Sequence, residues 1–94
     1  MRILTLLLVL SLMLPLLVAQ GNKTDDRIYD EVHRKLANDV VVKGAALEVI
    51  VKNGAVTLRG KVATEKARDK AESIAKKVKG VTSVDNKLTL IGAS

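Results

Sequence analysis

Asn53-Gly54 is the feature of this sequence that most restricts its fold. The pair lies between two runs, over residues 45–52 and 55–61, in each of which aliphatic residues recur at every second position. A type I′ turn needs positive φ at both central positions, which asparagine and glycine tolerate. The sequence therefore predicts a β-hairpin, with Gly60 marking a bulge or the end of its second strand. The aliphatic residues predicted to face the core are Leu47, Val49, Val51, Val56 and Leu58.

The residues before the hairpin predict a helix over residues 26–38. Its apolar positions recur every four residues, as one face of a helix requires. These positions are Ile28, Val32 and Leu36. Asp25 and Asp26 lie at the start, where carboxylates can cap backbone amides and meet the positive end of the helix dipole. Residues 40–44 are expected to connect this helix to the hairpin while packing some valine inward.

A second helix and a last strand are predicted after the hairpin. Thr64 is the expected N-cap of a helix that ends near Val78, and Gly80 stands where a left-handed residue stops a helix. The helix carries a stripe rich in alanine, which allows a close approach to the sheet. Its members are Ala67, Ala71, Ile74, Ala75 and Val78. Residues 81–91 contain the last strand, whose expected core contacts are Val84, Leu88 and Leu90.

The element order is helix, hairpin, helix, strand, which defines an α+β fold with the arrangement αββαβ. Because a strand–helix–strand connection crosses over in the right-handed sense, both helices are expected on one face of a three-stranded sheet. The pattern leaves open whether the last strand lies beside the second strand or beside the first. The expected domain comprises residues 26–91, followed by a short tail over residues 92–94.

The N-terminal fifth of the chain is expected to be a targeting segment outside the fold. Arg2 precedes an apolar run over residues 3–19, and the composition becomes polar after it. This layout predicts a secretory signal peptide over residues 1–19 and a flexible leader over residues 20–25, with the mature protein periplasmic or secreted. The alternative is an uncleaved inner-membrane anchor, because the run is near the lower limit of about 17 residues for a membrane span.

The composition removes most kinds of catalytic site. The chain has no cysteine, which excludes disulfides and thiolate ligands, and its single histidine, His33, has only Asp30 near it on the same helix. A metal site needs three or four ligands, and no serine has a recognisable base. Gly54, Gly60 and Gly80 have turn or stop explanations and form no phosphate-binding loop. We therefore predict no enzyme activity, no catalytic residue, no metal site and no cofactor.

The hairpin and the closing segment together resemble the BON domain family. The first pattern is Val49-x-Val51-x-Asn53-Gly54-x-Val56-x-Leu58-x-Gly60-x-Val62. The second, after the alanine-rich helix, is Gly80-Val81-x-x-Val84-x-Asn86-x-Leu88. The resemblance covers residues 27–90 and implies the αββαβ fold, a periplasmic stress protein, and the phospholipid-binding or membrane-attachment role proposed for the family. Family members often carry tandem copies, so an activity that needs two linked domains is in doubt for this single copy.

The charge pattern supplies one candidate site. The net charge of +6 favours anionic partners. Nucleic acid is not expected as a partner, because the chain is exported and its single aromatic residue, Tyr29, provides no base-stacking platform. On the second helix Lys66, Lys70 and Lys77 share one flank at 100° per residue, with few acidic neighbours.

We name these three lysines the lysine row. We predict that it binds anionic phospholipid headgroups weakly and in a salt-sensitive way. The alternative for the row is a solvated flank that keeps the domain soluble. The alternative for the whole protein is a protein-interaction or chaperone-like module of the envelope that has no direct contact with lipid.

Overall fold

The structure, a computed structural model, describes residues 22–92. The predicted signal peptide and the last two residues of the predicted tail lie outside the described residues. The elements are α1 (Lys23–Asn38), β1 (Glu48–Lys52), β2 (Ala55–Val62), α2 (Glu65–Lys76) and β3 (Ser83–Leu90). The predicted αββαβ order is therefore confirmed. Between residues 22 and 92, no helix combines the length and the apolar character that crossing a membrane requires.

The three strands form one sheet in the order β1-β2-β3, which decides the position that the sequence left open. β1 pairs antiparallel with β2, and β2 pairs parallel with β3 from Ala55↔Ser83 to Val62↔Leu90. Parallel neighbours need a crossover connection, which α2 supplies. α1 contacts β1, whereas α2 contacts β2, β3 and α1. The buried residues form one cluster, so both helices lie on the same face of the sheet.

The turn at Asn53-Gly54 has the predicted type I′ character, with φ values of 50° and 83°. A Cβ on Gly54 would lie 2.8 Å from the carbonyl oxygen of Gly80, so no side chain fits there. The Gly54 carbonyl in turn accepts a hydrogen bond from the amide of Thr82 at 2.9 Å. The turn therefore also fixes the start of β3.

One apolar core lies between the helices and the sheet. Its largest fully buried side chains are Ile28, Leu36, Leu58, Val32 and Val56. α2 contributes alanines that are 0% exposed: Ala67, Ala71 and Ala75. The backbone of α2 therefore lies close to the sheet, as its stripe predicted. No buried polar or charged residue is present in the described part of the chain, so apolar burial is the main force that holds the fold.

α1 begins three residues earlier than predicted, at Lys23 instead of Asp26. Its N-cap is Asn22, whose side-chain oxygen accepts a hydrogen bond from the amide of Asp25 at 3.2 Å. The helix therefore includes residues 23–25 of the predicted leader. The sequence pattern does not indicate Asn22 as a cap, because the apolar repeat that locates the helix starts only at Ile28.

Asp25 joins α1 to the hairpin turn. Its carboxylate accepts hydrogen bonds from the amides of Asn53 at 2.7 Å and Gly54 at 2.9 Å. The prediction that Asp25 caps its own helix was wrong, because the side chain reaches across to the turn. We name this pair of bonds the Asp25 clamp. It connects two segments that are far apart in the sequence.

β2 continues past Gly60, where the sequence predicted a bulge or a strand end. Gly60 pairs with Leu88, and the pairing runs on to Val62↔Leu90 without an extra residue. A Cβ on Gly60 would lie 2.8 Å from a Cδ of Leu47, and the φ of 129° also favours glycine. The glycine therefore makes room for the Leu47 side chain and does not end the strand.

Asn86 connects β3 to α2. Its Nδ2 donates to the carbonyl of Arg68 at 2.9 Å, and its Oδ1 accepts from the amide of Leu88 at 3.1 Å. The second bond uses a backbone amide of β3, which is therefore not available to an additional strand. Of the predicted core contacts on β3, Leu88 is buried, while Val84 and Leu90 are half-buried against the core.

Candidate functional site

The single histidine, on α1, is half-buried beside an aromatic ring. His33 stacks on Tyr29, with ring centroids 5.9 Å apart and an angle of 8° between the ring planes. Within residues 22–92, no three histidine or carboxylate side chains come together as metal ligands would. The histidine thus has a packing partner that explains its position.

The lysine row lies on α2 and at its C-terminal end. Lys66 and Lys70 are one turn apart, and Lys77 is the C-cap residue, so all three stay on one flank at 100° per residue. Lys66 and Lys77 are exposed, and neither forms an ion pair within the described residues. They are separated by about 16 Å along the helix axis at the usual rise per residue. Both are available to an anionic partner.

Lys70, in the middle of the row, is already bound. Its Nζ lies 3.0 Å from Oδ2 of Asp39. Asp39 is the C-cap residue of α1, so the row has an acidic neighbour that comes from another element. The prediction of few acidic neighbours was therefore wrong at this position, because helix periodicity shows only the charges on the same helix. This ion pair links α2 to the C-terminal end of α1.

Asp39 also fixes the turn that follows α1. Its Oδ1 accepts hydrogen bonds from the amides of Val41 at 2.9 Å and Val42 at 3.0 Å. The amide of Lys43 donates to the Asp39 carbonyl at 2.8 Å. The bond from the Val42 amide, followed by the bond from Lys70, holds the pKa of the Asp39 carboxyl below its ordinary value of 3.8. The carboxylate is thus ionised and engaged on both oxygens.

The same turn presents apolar side chains to solvent. Val42 is buried and Val41 is half-buried, as the predicted inward packing of some valine requires, but Val40 is 79% exposed. Three consecutive valines in a short connection cannot all point inward. The run of three valines is the sequence feature from which an exposed aliphatic residue could have been expected, although it was not predicted.

Ile91 lies at the same end of the domain and is 65% exposed. Its amide donates to the carbonyl of Val62 at 2.8 Å, which holds it directly after β3. Ile91 and Val40 line one open cleft of about 340 Å³ together with Lys43 and Lys61. We name these four residues the apolar end. The sequence did not predict this surface, because it joins a loop, a strand and the residue after the last strand.

The lysine row starts at the apolar end. Thr64 lines the same cleft, and its Oγ1 accepts a hydrogen bond from the amide of Ala67 at 3.0 Å, which confirms it as the N-cap of α2. Lys66 follows two residues later, whereas Lys77 is at the far end of the helix. Lys66 is therefore the member of the row that lies closest along the chain to the apolar end.

A domain with this fold and these motifs has known relatives. The chain belongs to the BON domain family, whose family model matches residues 24–92. The chain is also 39% identical over 69 residues to osmotically-inducible protein Y of Escherichia coli (strain K12). The aligned region covers 73% of this chain and 34% of that protein, so the chain spans about a third of the relative's length. The resemblance of the hairpin and the closing segment is thus confirmed.

Proposed function

We propose that this chain is a non-enzymatic module that attaches peripherally to membranes containing anionic phospholipid. The observation that carries the proposal is the pair of exposed lysines, Lys66 and Lys77, which have no acidic partner among the described residues. The net charge of +6 adds a long-range attraction to an anionic surface. Each lysine near such a surface contributes about 1 kcal/mol, so the attachment is weak and sensitive to salt.

We further propose that the protein acts in the periplasm during osmotic or envelope stress. Two observations support this location: the signal-peptide layout of residues 1–19 and the similarity to an osmotically inducible protein. N-terminal sequencing of the mature protein tests it. A start at Gln20 is expected, whereas retention of Met1 would replace the released domain by one anchored in the inner membrane.

Vesicle flotation tests attachment to lipid. All five elements and every core residue lie at or after Asn22, so the chain from Gln20 onward contains the complete described fold. This chain is expected to float with vesicles of phosphatidylcholine and phosphatidylglycerol, to remain behind with phosphatidylcholine alone, and to detach at high salt. Equal failure to float with both compositions would overturn the proposal.

A matched pair of variants separates a local site from net charge. Lys66→Gln with Lys77→Gln removes the two available lysines of the row. Lys23→Gln with Lys52→Gln makes the same change in net charge at exposed positions on α1 and β1 that form no ion pair within residues 22–92. The first variant is expected to float less than the second. Equal losses would show that only net charge matters and that the row is not a site.

The second candidate function is a protein-interaction or chaperone-like module. It is favoured by the sheet face opposite the helices, where Glu48, Arg59 and Lys87 are neighbours in register and exposed. β1 and β3 also each have a single strand neighbour in the described sheet. The bond from Leu88 to Asn86 occupies one amide of β3 and counts against strand addition there. A folded protein that floats with neither vesicle composition would favour this candidate.

A further inference from the structure

We propose that the domain docks end-on, with Val40 and Ile91 of the apolar end inserted among the lipids of an anionic membrane. This inference rests on the proposed attachment to phospholipid and names the surface that makes the contact. It differs from docking along the flank of α2, which the lysine row alone would suggest.

The exposed aliphatic side chains are held in place by the fold. Val40 stands between Asp39 and Val41 in a turn that the Asp39 carboxylate and carbonyl fix through three backbone amides. Ile91 is fixed by its bond to the Val62 carbonyl. Because the backbone is already ordered, insertion costs little conformational entropy. Most of the free energy gained by apolar burial therefore contributes to the affinity for the membrane.

The cations around these side chains match an anionic lipid surface. Lys43 and Lys61 line the same cleft as Val40 and Ile91, and neither forms an ion pair within the described residues. Lysines at phosphate depth, with aliphatic side chains just below it, are the arrangement that interfacial membrane binding uses. Lys66, at the start of α2, lies at this same end.

A second copy of the chain is a less suitable partner for the apolar end than a lipid membrane is. Two exposed aliphatic side chains provide much less surface than the roughly 1,200–2,000 Å² that a stable protein interface buries. Pairing of two apolar ends would also bring Lys43 and Lys61 of one copy against the same lysines of the other, and like charges in contact oppose association. A bilayer provides the apolar depth and the negative charge together.

End-on docking makes a prediction that flank docking does not. Lys77 is at the C-terminal end of α2, away from the apolar end, and Lys70 is already bound to Asp39. Lys43→Gln should therefore weaken vesicle binding more than Lys77→Gln does. Docking along the flank of α2 predicts the reverse order, and that result would overturn the inference.

The direct test removes apolar character while keeping the branching at Cβ. Val40→Thr combined with Ile91→Thr retains the β-branched form, so the fold is expected to survive, which circular dichroism checks. Binding of the chain from Gln20 onward to phosphatidylglycerol-containing vesicles should weaken about tenfold, because both contacts lose the gain from apolar burial. Tyr29→Thr is the control, since Tyr29 is the other large hydrophobic residue exposed within residues 22–92. Its effect should stay within about twofold, because Tyr29 lies within α1, whereas Val40 follows the C-terminal end of that helix.

The outcomes separate this inference from the function on which it depends. Failure of the unaltered protein to bind these vesicles overturns the proposed function. Binding by the unaltered protein with full binding by the double variant overturns end-on docking and leaves the proposed function standing. A dimer of the unaltered protein that the double variant converts to a monomer, as measured by light scattering, would assign the apolar end to a second copy and also overturn the inference.

Discussion

Removal of the Asp25 clamp should lower the free energy of unfolding by about 2 kcal/mol in Asp25→Ala. The carboxylate accepts bonds from the amides of Asn53 and Gly54 at 2.7 and 2.9 Å, and hydrogen bonds to a charged group are each worth about 1.5–3 kcal/mol. The expected loss is about that of one such bond, because the Asn53 amide is exposed and can bind water instead. The part-buried Gly54 amide loses its partner at higher cost.

Asp26→Ala is the matched control for this prediction. Asp26 is also an acid in the first turn of α1, so its removal weakens the interaction with the helix dipole, worth about 0.3–1 kcal/mol, without touching the hairpin. Urea unfolding followed by circular dichroism gives both free energies. For a domain of this size, each kcal/mol corresponds to a change in Tm of roughly 4–8 °C. A stability of Asp25→Ala equal to that of Asp26→Ala would refute the clamp.

Two further changes test the packing and the electrostatics of the fold. Gly60→Ala should destabilise the domain by about 1–3 kcal/mol in urea unfolding, because the new Cβ would lie 2.8 Å from a Cδ of Leu47. Gly92→Ala is the control and should cost less, since φ is also positive there but no atom lies within 4 Å. Asp39→Asn should flatten the pH dependence of Tm. Because the fold lowers the pKa of Asp39 below 3.8, the bonds from Val42 and Lys70 stabilise the native state above that pH. This stability is lost as the pH falls through the folded-state pKa, so an unchanged profile from about pH 5 to about pH 2 would contradict this role.

The sequence predicted the elements of the fold because each has a local signal. The Asn53-Gly54 turn follows from backbone conformation alone, and the alanine stripe of α2 follows from its period. The position of β3 beside β2 could not be predicted, since a position beside β1 would bury the same apolar residues of β3. The prediction of a bulge or strand end at Gly60 was wrong for a related reason. The role of Gly60 depends on Leu47, which precedes the first residue of β1 that pairs with β2.

The candidate site was predicted only in part, because ion pairs and surfaces join distant segments. The lysine row stays on one flank, but the bond from Lys70 to Asp39 depends on how α1 packs against α2. The apolar end depends on the exposure of Val40 and Ile91, which are far apart in the sequence. Neither feature has a periodic signature, so they are found only once the fold brings the segments together.

The depth of single labelled positions in a membrane tests end-on attachment to anionic lipid. The chain has no cysteine, so Val40→Cys and Lys52→Cys can each carry one environment-sensitive fluorophore. Lys52 pairs with Ala55 at the start of β2, whereas Val40 lines the same cleft as Val62 at the end of β2. The two labels therefore report opposite ends of the domain. With phosphatidylglycerol-containing vesicles, the label at position 40 should shift to the blue and be quenched by a lipid-borne quencher, while the label at position 52 stays in water. Equal responses at the two positions, or a response at position 52 alone, would contradict end-on attachment.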